Sequence, residues 1–516
     1  MQRVSCRRWN PTSLKWQLTF AVGVLIVGVA SRAEDWPFYR GPSGNGVATE
    51  RISLDWPAGG PKRLWRVPLT NGLSSVTVSE GRVFTQVSRT VGDQALEFCV
   101  AYSAETGAML WNRAFGTASY PNGGVGADDG PRSTPVVKAG RVYVLGSYLD
   151  LLCLDAASGA VVWSKDLRTE FGGSVIAWQN AASPVLAGDL VLLNVNAGPR
   201  RLAAFRADTG ALAWRTSDER MTHATPVPVT LHGVSQVIFL TQNGLVSLAP
   251  DDGRELWRYA FSYSTSTGAS PVVDGDTVYC SAAYGVGAAA VRIARSGDHF
   301  AATQLWRRRG ALMNHWSTAV AKDGHVYGLY GQALHYSAPL KCVDLATGAE
   351  KWSQDGFGLG ATLLVNDRIL ALTESGEIVV VEPDPTGYRE RARFQAVNGR
   401  AWNSPAIANG RLFVRGTTEM AAYDVSLPAP KPLRLGAVER LADSALRFRV
   451  TSADGQPITP DRLGQIRVLR AGALAASGSD WQAQPAKLTG RDGAVVVEVA
   501  IQSVAAEAYF RVVEGP

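Results

Sequence analysis

The chain has 516 residues, 46% hydrophobic and 19% charged, with 53 glycines and a formal net charge of +6. That length holds large cores or several domains, and abundant Gly without long Ala/Glu/Lys/Leu stretches points away from a helical protein and towards an all-β one. Five of the basic residues (Arg3, Arg7, Arg8, Lys15, Arg32) and no acidic residue precede Glu34, so the remainder is near +1 and has no basic run or basic–aromatic stripe, which excludes a nucleic-acid partner.

Residues 1–33 read as an export signal. A basic stretch precedes the apolar run LTFAVGVLIVGVA, and Ser31 and Ala33 place small residues before a cut. The run is about 13 residues, too short to span a bilayer comfortably as an anchor. Cys6 precedes it and so cannot be the lipidated cysteine of a lipoprotein signal. Arg7-Arg8 hints at twin-arginine export, but the residues after the pair fit that signal poorly. The mature chain of about 480 residues is expected in the periplasm or outside the cell, as a monomer with no membrane span.

From Trp65 onward one signature keeps returning: TGAMLW (to Trp111), SGAVVW (to Trp163), TGALAW (to Trp214), DGRELW (to Trp257) and TGAEKW (to Trp352). Two copies are degraded, ending at Trp306 and at Phe394, and with the isolated LWRV at Trp65 the aromatic anchors fall 42 to 52 residues apart. That is the length of a four-stranded propeller blade. The second unit shows the four strands, STPVVKAG, RVYVLGS, DLLCLDA and AVVWSKDL, punctuated by Gly and Asp turns. Innermost strands are marked at Ser74, Ser133, Ser183, Thr225, Ser270, Ser317, Ala361 and Ser404. The eighth unit lacks a fourth strand, and LWRV is expected to supply it. The fold class is therefore all-β, an eight-bladed β-propeller over 34–426 closed by an N-terminal strand.

The repetition has a physical cause. A four-stranded sheet cannot cover both its own faces, so each blade must be bolted to the next. Asp and Ser/Thr can hold the tight turn, Gly takes its positive φ, and Trp offers roughly 150–250 Å² of mostly apolar surface with one N–H to satisfy. Trp65, Trp111, Trp163, Trp214, Trp257, Trp306, Trp352 and Phe394 are accordingly expected as structural docking residues.

The A-x-D-x-x-T-G-x-x-x-W pattern resembles the docking motif of the pyrroloquinoline quinone (PQQ) repeat propellers. The resemblance covers about residues 36 to 425, although only Asp155 and Asp344 keep the motif's Asp. It implies a superfamily that contains quinoprotein alcohol dehydrogenases and a non-enzymatic lipoprotein scaffold of outer-membrane barrel assembly, and the chain looks nearer the latter. DWPFYRGPSGNG (35–46) and DDGPRSTPVV (128–137) resemble exported bacterial PQQ-like repeat proteins.

Beyond the repeats, LPAPKPL (427–433) reads as a stiff linker, and the alternating runs of 434–516 as a small β-sandwich. Cys153 and Cys342 occupy the motif's small-residue slot in different blades, and Cys99 and Cys280 lie on other strands. Four buried, unpaired thiols follow.

The crossovers from outer strand to next inner strand are long after Trp111 and Trp163 and shorter elsewhere. Just before the inner strands sit Asp128, Asp129 and Arg132, then Trp178, Asn180 and His223. On the later repeats the matching positions hold Asn314, His315 and Trp316, then Arg400, Trp402 and Asn403. This aromatic and polar mouth is the candidate ligand site; capping of strand ends is the competing reading. No catalytic or metal residue is assigned, and no cofactor is expected. The function read here is an exported binding or scaffold module for a protein or glycan of the cell envelope. The alternative is a PQQ- and calcium-dependent dehydrogenase, with Trp178, Trp316 or Trp402 stacking on the quinone and Asp128, Asp129 or Asn180 as ligands. Against it stand the absence of an adjacent cysteine pair and of a C-x-x-C-H haem site, and the few acidic groups at the mouth.

Overall fold

The computed structural model describes residues 34–121, 129–263, 265, 267–332, 337–428, 433–441, 445–452, 454–458, 462–463, 466–471, 482–500 and 509–514. The expected signal, most of the Pro-rich linker and Asp128 lie outside the described residues. The chain divides by compactness after Leu427. Among the described residues no helix is long and apolar enough to cross a membrane.

The first unit contains eight four-stranded antiparallel sheets. Sheets 1 to 7 cover 77–117, 136–166, 185–216, 227–260, 272–308, 320–354 and 361–395, each with its strands in chain order. Sheet 8 is made of three strands from 406–424 and, at its outer edge, Arg63–Pro68, whose Trp65 lies opposite Ala422. The innermost strand of sheet 1 has that of sheet 2 on one side and that of sheet 8 on the other. This is the arrangement expected of a propeller.

Local sequence explains the hairpins. Six of the first turns have both central residues at positive φ, among them Glu80-Gly81, Ala139-Gly140 and Asn409-Gly410, as the twist of a two-residue hairpin demands. Outer strands are exposed except at their anchor: in Met109–Thr117 the single fully buried side chain is Trp111.

Each anchor bridges to its neighbour. The indole N–H of Trp65 donates to Ala104 O at 3.1 Å, and those of Trp111, Trp163 and Trp214 donate to Ala156 O, Ala207 O and Pro250 O. Trp306 and Trp352 donate to Leu345 O and Asp384 O. The turn glycine of the next repeat lies against the rings of Trp65, Trp111, Trp163, Trp214 and Trp306, though not of Trp352: a Cβ on Gly159 or Gly210 would stand 2.7 or 2.8 Å from the indole of Trp111 or Trp163. Opposite each anchor across the hairpin is the motif's small residue, as Cys153 faces Trp163. Trp257 differs, donating to Gln236 Oε1 in its own sheet, while Phe394 packs edge-on to Trp56 and Tyr423.

A second set of seams runs through the inner strands, where a hydroxyl of one sheet accepts a backbone N–H from its neighbour. Ser75 Oγ accepts from Ser404 N, Thr134 Oγ1 from Ser75 N, Ser183 Oγ from Thr134 N and Thr225 Oγ1 from Ser183 N, at 2.8 to 3.1 Å. Arg415, fully buried where sheets 8 and 1 meet, donates to Ser74 O, Gln86 O and Thr85 Oγ1; burial lowers its pKa to about 9. The four cysteines 99, 153, 280 and 342 are free and buried, and burial raises every thiol, Cys153 and Cys342 to about 11.

The N-terminal segment before sheet 8's outer strand crosses the space that the inner strands enclose. Trp36 pairs with Val78 of sheet 1, and Pro37 O accepts from Val137 N of sheet 2. Across the bore the Arg40 guanidinium, 1% exposed, donates to Thr318 O and Ala319 O of sheet 6 at 2.8 Å and to Thr362 O of sheet 7 at 3.1 Å. The segment leaves beside sheet 7, where Val47 pairs with Leu364. Gly46 is required here, because a Cβ would stand 2.3 Å from an Arg40 nitrogen.

The second unit holds a four-stranded sheet (Leu433–Leu441, Ala445–Ser452, Ala494–Ala500, Ala486–Arg491) and a three-stranded one (Gln482–Ala483, Ile466–Ala471, Tyr509–Glu514). One apolar cluster serves both: Phe448, Val450, Val495 and Val497 from the first, Ile466 and Val468 from the second.

Candidate functional site

On the crossover face, where strands enter the inner positions, lies a cavity of about 170 Å³. Trp178, His223, His315, Trp316, Trp402 and Arg132 line it, six of the positions singled out from sequence. The plugging segment contributes Tyr39 to the lining.

Its aromatic wall is continuous. Tyr284 meets His315 edge-on at 5.0 Å, His315 meets Trp316 at 4.4 Å, and Trp316 meets Trp402 at 4.4 Å. The Arg400 guanidinium stacks 4.9 Å from the Trp402 ring. Sheet 7 holds the two indoles: Trp402 Nε1 donates to Glu374 Oε1 at 3.0 Å, Leu359 N donates to Glu374 Oε2, and Trp316 Nε1 reaches Leu359 O. Opposite stands Trp178, delivered by the second long crossover. That crossover opens with a helical turn, Leu167–Phe171, capped by Asp166 and Gly172. It ends with Trp178 and Gln179 both at positive φ, 62° and 57°. Such conformations cost about 1–3 kcal/mol each in non-glycine residues and persist where the surroundings impose them.

The cavity is electrically quiet. Arg132 Nη2 is held by Asp129 at 2.8 Å. Burial lowers the pKa of His223 to about 4, and burial with the neighbouring His223 lowers that of His315 to about 3, so both rings are neutral near pH 7. His223 Nε2 bonds Ala177 O at 2.9 Å, which makes it the donor and sets the tautomer.

The remaining mouth residues are tied up in the framework. Asn180 Nδ2 donates to Ala182 O and its Oδ1 accepts from Ala182 N. Asn314 bridges Tyr279 and Leu329 O, and Asn403 Nδ2 donates to Ser74 O across the junction of sheets 8 and 1. Asp129 faces Arg132. Short amides near a strand start find backbone before they find a ligand. Of the calcium ligands expected under the quinoprotein reading, the Asp129 carboxylate and the Asn180 amide are engaged by the framework, and Asp128 lies outside the described residues.

Sequence reading missed Tyr39, Tyr284 and the hydroxyls of Ser75, Ser183 and Thr225, all of which line the cavity. The hydroxyls did carry a signal, the Ser or Thr recurring at nearly every inner-strand start.

Comparison with known proteins gives a family and a shape. The family described as outer membrane protein assembly factor BamB matches residues 97–354. The outer membrane protein assembly factor BamB of Moranella endobia is 26% identical over 263 residues, 48% of this chain; the chain spans 63% of that relative's length. The crystal structure of BamB from Moraxella catarrhalis aligns with a TM-score of 0.50 at 14% identity, over 72% of this chain and 98% of that one. The quinohemoprotein alcohol dehydrogenase of Comamonas testosteroni aligns at 0.55 and 14% identity, over 80% and 84%. Both structural likenesses establish the propeller fold, which assembly factors and dehydrogenases share, and do not choose between them.

Proposed function

The chain belongs to the PQQ-repeat propeller family of the outer membrane protein assembly factor BamB, and on that premise we propose that it is an exported, non-catalytic scaffold of the cell envelope. In this reading the eight sheets are the blades of a closed ring, with Arg63–Pro68 completing the eighth, and the two C-terminal sheets form a sandwich. A monomer in the periplasm or outside the cell presents its crossover face to a protein or glycan partner. One observation carries the reading: the aromatic wall from Tyr284 through Trp402, together with Trp178, lines a charge-balanced cavity at that face. Large rigid aromatics anchor partners with much contact area and little entropy loss. The quinoprotein alternative is disfavoured by the engaged Asp129 and Asn180.

The reading is tested by changing Trp178, Trp316 and Trp402 singly to Ala and measuring capture of partners from a cell-envelope lysate. Anchors of this kind commonly lose about 2 kcal/mol or more, near thirtyfold in affinity. Retained capture by all three would exclude this face. Dye-linked alcohol oxidation by protein reconstituted with PQQ and Ca²⁺ would exclude the non-catalytic assignment itself.

A further inference from the structure

Three hydroxyls that line the cavity have unspent protons. Ser75 Oγ, Ser183 Oγ and Thr225 Oγ1 each accept a backbone N–H from a neighbouring sheet. The residues are only 4%, 2% and 7% exposed, and among the described residues these hydroxyls take part in hydrogen bonds only as acceptors. Arg132 Nη1, also buried and beside the cavity, is likewise without a hydrogen-bond partner. A hydroxyl has one proton to give and two lone pairs to fill, so each of these, having accepted one N–H at the seam, still has a proton to give to a ligand that reaches it.

Those donors constrain the occupant. An aromatic or aliphatic side chain of a partner protein would satisfy the indoles but bury the donors unanswered, at a cost for each. An anion would meet the donors, but Arg132 is already balanced by Asp129 and both histidines are neutral, so its charge would be buried uncompensated. A ligand with flat C–H faces, several oxygen acceptors and no charge meets every requirement. At about 170 Å³ the cavity has room for a ligand of at least one ring.

We infer that the cavity binds a single uncharged pyranose unit, the end of a glycan or a free sugar, sandwiched by Trp178, Trp316 and Trp402 and hydrogen-bonded by Ser75, Ser183, Thr225 and Arg132. This rests on reading the crossover face as the binding face.

Saturation-transfer NMR of the purified protein with glucose, galactose, mannose and N-acetylglucosamine tests it, with glucuronate as the charged control. At least one neutral sugar should bind with a Kd on the order of millimolar and show ring-proton contacts to indole protons. Trp316→Ala should weaken that binding about tenfold or more. If Trp316→Ala fails to fold, Trp402→Phe and the sugar–indole contacts in the wild-type protein carry the test. No binding by any neutral sugar, tighter binding of glucuronate, or contacts that avoid the indoles would each overturn the assignment. Loss of lysate capture in the Trp variants without any sugar binding defeats the sugar assignment while leaving the face intact. Sugar binding with capture unchanged in the variants defeats the scaffold reading instead.

Discussion

Trp316 and Trp402 meet with ring centroids 4.4 Å apart and planes tilted by 44° although the sheets that carry them, 6 and 8, are separated by sheet 7. Sheet 7 has no aromatic of its own at the mouth; it offers Glu374, whose two carboxylate oxygens take the Trp402 indole N–H and the backbone N–H of Leu359. Removing that carboxylate leaves both donors unpaired and frees the indoles to part. In Glu374→Ala the exciton signal of the adjoining indoles in circular dichroism should weaken, and stability should fall by about 1–3 kcal/mol. An unchanged exciton signal would mean that packing alone, without Glu374, fixes the pair.

Arg40 is the pin of the plug. Its guanidinium answers Thr318 O, Ala319 O and Thr362 O from two sheets, and burial lowers its pKa only to about 10, so it stays charged at neutral pH. Arg40→Met keeps much of the volume but withdraws the charged donor from Thr318 O, Ala319 O and Thr362 O, of which Thr318 O keeps the Thr362 hydroxyl. The unfolding free energy should drop by at least about 3 kcal/mol. Amide protection should be lost at Gly46 and Ala48, which donate in the plug's exit, and kept in sheet 3. Protection unchanged at those two amides would show that the backbone pairing with sheet 7 suffices to hold the plug.

The repeat was legible because every sheet solves the same problem with the same residues. Trp, turn Gly and the small residue opposite recur, and their registers match throughout the intact copies. The glycine's second task was not legible: positive φ is a local property, but lying flat on the preceding repeat's Trp is a contact between repeats. The plug was invisible for the same reason, since Arg40 finds its acceptors some 280 to 320 residues away. At the mouth, large aromatics chosen from sequence do line the cavity, while the asparagines beside them turn back to the framework.

Ring closure is tested at Trp65. Its indole packs 5.9 Å from Phe413, its N–H reaches Ala104 O of sheet 1, and the turn of Gly107 lies on its face. Trp65→Ala should therefore cost what an internal anchor costs, about 3–5 kcal/mol, and lower the melting temperature as much as Trp163→Ala does. A Trp65→Ala protein that melts like wild type while Trp163→Ala does not would mean that Arg63–Pro68 is a dispensable edge. Gly210→Ala provides a control on the mechanism: it should cost more than Gly188→Ala, because both have positive φ but only Gly210 meets a ring.

The neutral histidines make an acid signature. His223 titrates at about 4 in the fold, against an unfolded value of about 6.5. Above pH 6.5 neither state is protonated and its contribution is fully present. As the pH falls towards 4 the unfolded chain takes up the proton first, so stability is lost across that window. His315, lowered to about 3 by burial and by His223, acts in the same direction. Asp150 opposes them: burial raises its carboxyl to about 6, so the fold binds that proton before the unfolded chain does and gains stability as the pH falls from 6 to 4. Comparing variants isolates the histidine. His223→Gln keeps a donor for Ala177 O and cannot titrate, so its loss of unfolding free energy between pH 7 and pH 5 should be smaller than wild type's by about 2 kcal/mol. Urea titrations at the two pH values measure it; equal losses in the two proteins would mean that the fold does not lower the His223 pKa below its unfolded value.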